Sequence, residues 1–348
     1  MRSKLVGATV YGIDLGKNTF HVVGTDPSGR ELQRVTLSRA TIFQFFANAA
    51  PALIGMEACP GSQWLARKLE GLGHTVRIIP AQFVKPYVKS NKNDLIDAAA
   101  IAEAVSRPSM RFVRPKSIEQ VEIQTMHRIR ERLVASKTQL TNQMRAFCVE
   151  FGIAIRHGTG AFKAELPKLL ADETNDLTPR LRELLTLLWE ELAAVEKRII
   201  DMTSQIDAIA TRSELAMRLA SIPGIGRLSA TAILAAVGDG KQFSKARDMA
   251  AWLGLVPAQY STGGKSTLLG ISKRGNPYVR RLLVHEARSC MLHLDRTKDR
   301  LGQWIGALES RMHPNKVVIA LANKLARVAW VILNQQGAFY LRDGKAAS

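Results

Sequence analysis

Three separated segments of the chain each deliver carboxylates. The run Thr9-Val10-Tyr11-Gly12-Ile13-Asp14 reads as a buried strand that ends on Asp14, with Gly12 and Gly16 letting backbone come close to whatever Asp14 holds. A second apolar run, Ala52-Leu53-Ile54-Gly55-Met56, ends in the same way on Glu57. The third, Asn93-Asp94-Leu95-Ile96-Asp97-Ala98, opens a helix, and its two acids, three residues apart, share one helical face. Carboxylates brought to one point repel and cannot all ionise unpaired. A divalent cation resolves the conflict, and an all-oxygen donor set suits Mg²⁺ or Mn²⁺. Two such ions about 3.5–4 Å apart serve phosphoryl transfer by activating a nucleophile and stabilising the leaving oxygen. Taken singly, Asp14 also reads as a turn residue after a strand, and Asp94 as a charge favoured by the helix dipole.

The second chemical stretch is Pro257-Ala258-Gln259-Tyr260-Ser261-Thr262-Gly263-Gly264-Lys265-Ser266, continued by Ser272-Lys273-Arg274-Gly275. Glycines let backbone approach an anion, and Lys265, Lys273 and Arg274 surround it with positive charge. The Walker spacing is absent. A hydroxyl so placed is a candidate nucleophile on a phosphodiester. A basic loop that merely grips nucleic acid is the simpler reading of the residues alone. Upstream, Ile222-Pro223-Gly224-Ile225-Gly226 resembles the hairpin of a DNA-backbone clamp, in which Gly224, Gly226 and a helix N-terminus face a phosphate. A plain tight turn between packed helices accounts for it equally well. Tyr278, Arg280, Arg281 and Arg288 lie on a basic helix.

The elements around these residues fall into an α/β region followed by an all-helical one. Residues 9–36 read as a three-stranded meander turning at Asp26-Pro27-Ser28-Gly29. A helix capped by Ser38, a strand ending at Glu57, a helix over 60–72, a strand over 74–79 and a helix over 93–106 follow. Such alternation predicts parallel strands after the meander, with active groups at their carboxyl ends. From Ile118 the chain turns helical and charged. Met126, Leu133, Leu140 and Phe147 recur every seven residues. After a loop near 152–160, Leu181, Leu185, Leu188, Leu192, Val195, Ile199, Met202, Ile206 and Ile209 step four-three without a break. This is a coiled-coil seam, closed either within the chain or with another subunit. The faces carrying Arg128, Arg130, Arg132, Lys137 and Arg145 are solvated or follow a phosphate backbone. Residues 243–255 read as a helix pair and 316–333 as an amphipathic helix, and residues 343–348 should fray.

The 348 residues suffice for more than one domain. Lys and Arg exceed Asp and Glu by 49 to 30, a net charge of +19 that points to a polyanion, nucleic acid before a membrane surface. No apolar run reaches the ~18 residues that span a bilayer, and Met1 to Gly7 lacks a signal-peptide pattern. Three distant cysteines, Cys59, Cys148 and Cys290, form neither a disulfide framework nor a zinc site and fit a reducing cytoplasm.

In order along the chain, Tyr11-Gly12-Ile13-Asp14, Gly55-Met56-Glu57-Ala58, Asn93 to Ala98, Ile222 to Gly226, Ser261-Thr262-Gly263-Gly264-Lys265 and Ile271-Ser272-Lys273-Arg274-Gly275 together resemble the DEDD transposases of bacterial insertion sequences, the family that includes the Piv-type invertases. The resemblance covers essentially the whole chain. It implies a RuvC-like ribonuclease-H fold over 1–115, a helical coiled-coil linker for multimerisation over 116–215 and a mostly helical transposase domain over 216–340. It implies that Asp14, Glu57, Asp94 and Asp97 bind Mg²⁺ and that a serine forms a covalent link to DNA. That serine is assigned to Ser261, with Thr262 as the alternative register because Thr262 is the residue adjacent to Gly263. A structured guide RNA from the same element, action as a homo-oligomer and a bacterial, nucleoid-associated location are further implications. Under the resemblance, Thr262, Gly263, Gly264, Lys265, Lys273, Arg274, Arg280 and Arg281 contact nucleic acid alongside Gly224 and Gly226.

Three other readings compete. A metal-dependent junction resolvase would need the four acids and no serine. A sugar-kinase or actin-like ATPase would need a second glycine-rich phosphate loop, and none stands in the right context. A non-enzymatic nucleic-acid-binding coiled-coil protein would lose nothing but stability on Asp14→Ala.

Overall fold

Apolar alternation in the first hundred residues builds one mixed sheet. The computed structural model describes residues 7–88 and 93–340; the first six residues and the segment expected to fray lie outside that range. Strands β1 (Val10–Leu15), β2 (Thr19–Thr25) and β3 (Glu31–Ser38) form the expected antiparallel meander. Strands β4 (Leu53–Glu57) and β5 (Thr75–Ile79) then add in parallel on the other side of β1, giving the order β3-β2-β1-β4-β5. Helices α1 (Ile42–Ala47) and α2 (Ser62–Glu70) cover one face; α3 (Ala81–Val84), a 3₁₀ turn at Lys85–Tyr87 and α4 (Asp94–Val105) follow β5.

The two faces of β1 go to different partners because side chains alternate along a strand. Tyr11 and Ile13 pack with Phe46, Leu65 and Leu69 on the α1–α2 side. Val10 packs with Ile101, Ala104 and Val105 of α4. Gly12 and Gly55 are register partners on that α4 side. A Cβ on Gly12 would sit 2.0 Å from the Ala98 carbonyl oxygen, and one on Gly55 would sit 2.7 Å from Val105 Cβ. These two glycines let α4 lie directly on β1 and β4, rather than opening room around Asp14 for a bound group. Two boundaries differ from expectation. Ser38 ends β3 and does not cap α1, since a turn over 39–41, closed by Thr41 N donating to the Ser38 carbonyl, intervenes and puts Thr41 at the N-cap. Pro60 precedes α2, which starts after Gly61.

The chain divides into two compact units, Met1–Ser117 and Ile118–Ser348. The second contains α5 (Ile118–Val149), α6 (Thr159–Ala171), α7 (Pro179–Arg212), α8 (Glu214–Ala220), α9 (Arg227–Val237), α10 (Ala246–Trp252), the hairpin β6 (Pro257–Thr262) and β7 (Lys265–Ile271), α11 (Pro277–His293), α12 (Arg300–Glu309) and α13 (Pro314–Asn334). Helices α5 and α7 pair antiparallel within the chain: Arg130 donates to Thr203, and Lys137 meets Glu196 at 2.8 Å. Leu133, Leu140, Met144, Cys148, Leu185, Leu192 and Val195 are buried in their cluster. Phe147, expected in the seam, is 37% exposed, and Cys148 takes the inward position. Helix α6, which lies between the loop expected near 152–160 and α7 in a stretch where no element was expected, adds Phe162 and Leu166 to the same core. Arg145 donates to the Arg156 and Gly158 carbonyls and caps this corner. Arg130, Lys137 and Arg145 are thus internal contacts, while Arg128 and Arg132 are exposed.

Around α13 lies the largest core of this unit. By length and composition α13 could cross a membrane, yet Val317, Leu321, Leu325, Ala329 and Ile332 are buried against the neighbouring helices. Arg218 of α8 reaches its C-terminal end and donates to the Ile332, Gln335 and Ala338 carbonyls. Buried His127 of α5 lies between Tyr278 Oη (2.9 Å) and Thr231 Oγ1 (3.0 Å), joining α5, α9 and α11. Residues 243–255 give the single helix α10 rather than a pair, with Trp252 half-buried against Phe243.

Candidate functional site

The pleat that puts Gly12 under α4 puts Asp14, two residues on, on the same side at the carboxyl end of β1. Glu57 stands in the same relation to Gly55 in β4. Asn93 caps α4, its side-chain oxygen accepting from Leu95 N at 2.9 Å, so Asp94 and Asp97 occupy the first turn. The close seat of α4 carries this turn over the strand ends. Burial pushes the Asp14 carboxyl up, and the Asp94 and Asp97 charges push it further. Glu57 is raised by burial, then by Asp14 and Asp97. Asp14 thus feels both acids of α4, and Glu57 feels Asp14 and Asp97.

Sequence reasoning missed His21. It lies opposite Asp14 in the β1–β2 register, and its Nε2 is 3.3 Å from Asp94 Oδ2. Its charge opposes the rise at Asp14. The alternation of β2 relative to the meander turn is the signal that could have found it. Cys59, two residues past Glu57, has its thiol pushed up to about 11 by burial and by Glu57 and Asp14, so it stays a neutral neighbour.

The carboxylates are within Coulombic reach of each other but do not form a closed ligand shell. Among the described residues, no three His, Cys, Asp or Glu side chains gather closely enough to hold an ion. The donor chemistry nevertheless suits a hard divalent cation: the set is all-oxygen, partly desolvated and mutually repulsive.

In the second unit the serine stretch is a β-hairpin. Ser261 pairs with Ser266 and Thr262 with Lys265. Gly263 (φ +53°) and Gly264 (φ +77°) make the two-residue turn, a conformation that favours glycine at both positions. The glycines thus serve the turn rather than a phosphate cradle. The Gly-Gly flanked by Tyr260-Ser261-Thr262 and Lys265-Ser266-Thr267 was a readable hairpin signal. Both strands are almost entirely exposed, including the Ser261 and Thr262 side chains.

Several expected nucleic-acid contacts are committed elsewhere. Gly226 N–H donates to Glu286 Oε1 at 2.8 Å, occupying the N-terminus of α9 where a phosphate was expected. Gly224 is the φ +90° turn pressed against Glu286 O and Cys290 Cβ. Arg280 donates to the Leu253 and Arg274 carbonyls, and Arg281 pairs with Glu131. Lys265, Lys273 and Arg274 are exposed.

Glu286 carries a prediction of its own. Burial pushes its carboxyl up to about 7, against partial opposition from Ser229 and Gly226, and its Oε2 is buried with no hydrogen-bond partner. The fold favours the protonated form, so this contribution is full below the ordinary carboxylate range and is lost as pH rises through about 7. Relative to Glu286→Gln, the wild type should lose up to about 3 kcal/mol between pH ~4 and pH ~8. Denaturation midpoints of both proteins across that range check this; parallel curves would contradict it.

Comparison with known proteins agrees with this layout. The transposase family of the DEDD type described for IS110 matches residues 11–152, a span that holds all four acids. The transposase IS116/IS110/IS902 family matches residues 216–302, a span that holds the hairpin. The transposase for insertion sequence element IS1328 of Yersinia enterocolitica is 45% identical over 333 residues, covering 95% of this chain and 98% of the relative. The transposase for IS1111A of Coxiella burnetii is 41% identical, covering 96% and 92%. The pilin gene-inverting protein of Moraxella bovis is 22% identical over 347 residues, covering 95% and 97%.

Proposed function

We propose, for a chain that belongs to the IS110/IS116 family of DEDD transposases, that Asp14, Glu57, Asp94 and Asp97 hold divalent metal and that Ser261 is the nucleophile which joins DNA to the protein. As a transposase the protein cleaves and recombines DNA. The observation that carries the finer reading is the coupling of Asp14 and Glu57, at the carboxyl ends of two adjacent parallel strands, to the acids of the first turn of α4: Asp94 and Asp97 raise Asp14, and Asp14 and Asp97 raise Glu57. We read the first unit as a RuvC-like ribonuclease-H fold; its mixed five-stranded sheet, with acids at the central strand ends, supports that assignment.

Asp14, Glu57, Asp94 and Asp97 would hold Mg²⁺, or Mn²⁺, which when bound neutralises phosphate charge and stabilises oxygens that gain charge in phosphoryl transfer. His21 holds Asp94 toward the strand ends. Ser261 supplies the hydroxyl. Its Oγ forms a bond to phosphorus as the bond from phosphorus to a deoxyribose oxygen breaks; the hydroxyl proton passes to water and the leaving oxygen takes one up. A free DNA hydroxyl then attacks the phosphoserine, rejoining DNA and restoring Ser261. Lys265, at the hairpin tip with Thr262, Gly263 and Gly264, would meet a phosphate near Ser261, whereas Lys273 and Arg274, at the base of the hairpin beside Gly254, would meet the backbone further along.

The division of labour follows the three segments: catalysis over 1–115, multimerisation over 116–215 and DNA joining over 216–340. Exposed Leu184, Leu187 and Ile200 on the outer side of α7 support a homo-oligomer. A net charge of +19 supports DNA and a structured guide RNA together as partners, in a bacterial cytoplasm at the nucleoid. Incubation with element-end DNA, flanking RNA and Mg²⁺ tests the serine. A denaturation-resistant adduct lost in Ser261→Ala and kept in Thr262→Ala is expected. Loss only in Thr262→Ala would move the nucleophile by one, and cutting without an adduct would make the protein a metal-dependent hydrolase of the resolvase type.

A further inference from the structure

The β6–β7 hairpin has two chemically different faces. Directly paired residues share a face, so Gln259, Ser261, Ser266 and Leu268 lie on one and Tyr260, Thr262, Lys265, Thr267 and Leu269 on the other. Ser261 and Thr262, adjacent in sequence, therefore point opposite ways. On the Ser261 face, Gln259 Nε2 donates to Ser261 Oγ at 2.7 Å and to Ser266 Oγ at 3.0 Å. No equivalent amide stands on the Thr262 face.

We propose that Gln259 is a positioning residue for the Ser261 nucleophile, its side-chain amide holding the Ser261 hydroxyl against Ser266 on one face of the hairpin. This rests on the reading of Ser261 given above. An exposed serine samples three staggered rotamers; a bond from the amide selects one. The donated N–H uses one lone pair of Oγ and leaves the other lone pair, and the hydroxyl proton, free. As that proton departs, the same N–H faces a growing negative charge, where a hydrogen bond is stronger than to the neutral hydroxyl. The second N–H, on Ser266, keeps the amide from swinging away. The amide neither gains nor loses a proton, so the balance of the joining step is unchanged.

The test is the single-turnover rate of adduct formation by the full-length protein, on a duplex carrying the ends of the element that surrounds its reading frame, with flanking RNA and Mg²⁺. Gln259→Ala and Gln259→Glu should each slow the adduct by about tenfold or more, the second because a carboxylate cannot donate. DNA affinity should stay within about twofold, and resistance of the Gly263-Gly264 turn to proteolysis should not change. Ser266→Ala should slow the rate less than either. A wild-type rate in Gln259→Ala overturns the proposal. So does a rate loss matched by equal losses of affinity and proteolytic resistance, which would mark a structural role. Ser261→Ala separates the two claims: if it forms no adduct while Gln259→Ala is unaffected, Gln259 alone is misassigned; if it still forms the adduct, the nucleophile reading fails and this proposal with it.

Discussion

Asp14→Asn is expected to lower DNA strand cleavage by about a thousandfold or more while leaving the fold intact. Asp14 is coupled to the acids of α4: burial, Asp94 and Asp97 all push its carboxyl up. Asparagine keeps the shape of the strand end and removes one charge from a repulsive set. The denaturation midpoint should therefore hold or rise as cleavage disappears. That opposite movement distinguishes a functional charge from a structural one, because loss of a structural ion pair would lower both. Glu57→Gln, Asp94→Asn and Asp97→Asn should behave alike in a cleavage assay with Mg²⁺. Retained cleavage in any two of the four would remove the carboxylates from the chemistry.

Gly12→Ala should act through the opposite route, with stability lost first. The added Cβ would lie 2.0 Å from the Ala98 carbonyl oxygen and 2.4 Å from Ala102 N. Both are backbone atoms of α4 that cannot rotate aside, so α4 must lift from β1. Overpacking of this kind costs about 3 kcal/mol or more. Lifting α4 also withdraws Asp94 and Asp97 from Asp14, so cleavage should fall even in the fraction that stays folded. Urea denaturation followed by far-UV circular dichroism measures the first effect. A midpoint within about 0.5 kcal/mol of wild type would show that the helix does not need this glycine.

The two glycines also mark the limit of what could be read from sequence. Gly12 precedes Asp14 by two residues, and its proximity to that acid suggested room for a bound group; Gly55 stands in the same relation to Glu57. Their partner is instead α4, some forty residues or more downstream, and local pattern carries no information about that contact. The acids themselves were legible because strand ends and a helix cap are local events: alternation fixes Asp14 and Glu57, and Asn93 fixes the turn of Asp94 and Asp97. The meander and its parallel extension followed from the same periodicity. Elements that depend on tertiary partners were hidden. Helix α6 contains Pro167 and a mixed pattern, and it is held by packing on α7. Glu286 reaches Gly226 across sixty residues, so a motif that looked open to phosphate is closed by a side chain of the same protein. Arg280 looked like a surface cation, yet it serves two backbone carbonyls. Charge alone does not distinguish a cation that binds a partner from one that caps the fold.

The family relation accounts for the joint presence of the acid segments and the hairpin. The geometry accounts for why the first set can act as a unit. Its claim reduces to one property, that the repelling carboxylates beside β1 and β4 take up a divalent cation. The direct measurement is Mn²⁺ titration of the full-length protein followed by electron paramagnetic resonance, with Asp14→Asn and Glu57→Gln alongside. The wild type should withdraw Mn²⁺ from the free signal in stoichiometric amounts, Mg²⁺ should compete, and either substitution should weaken uptake by about tenfold or more. Equal uptake in wild type and both variants would contradict the account, because the bound ion would then sit away from these acids.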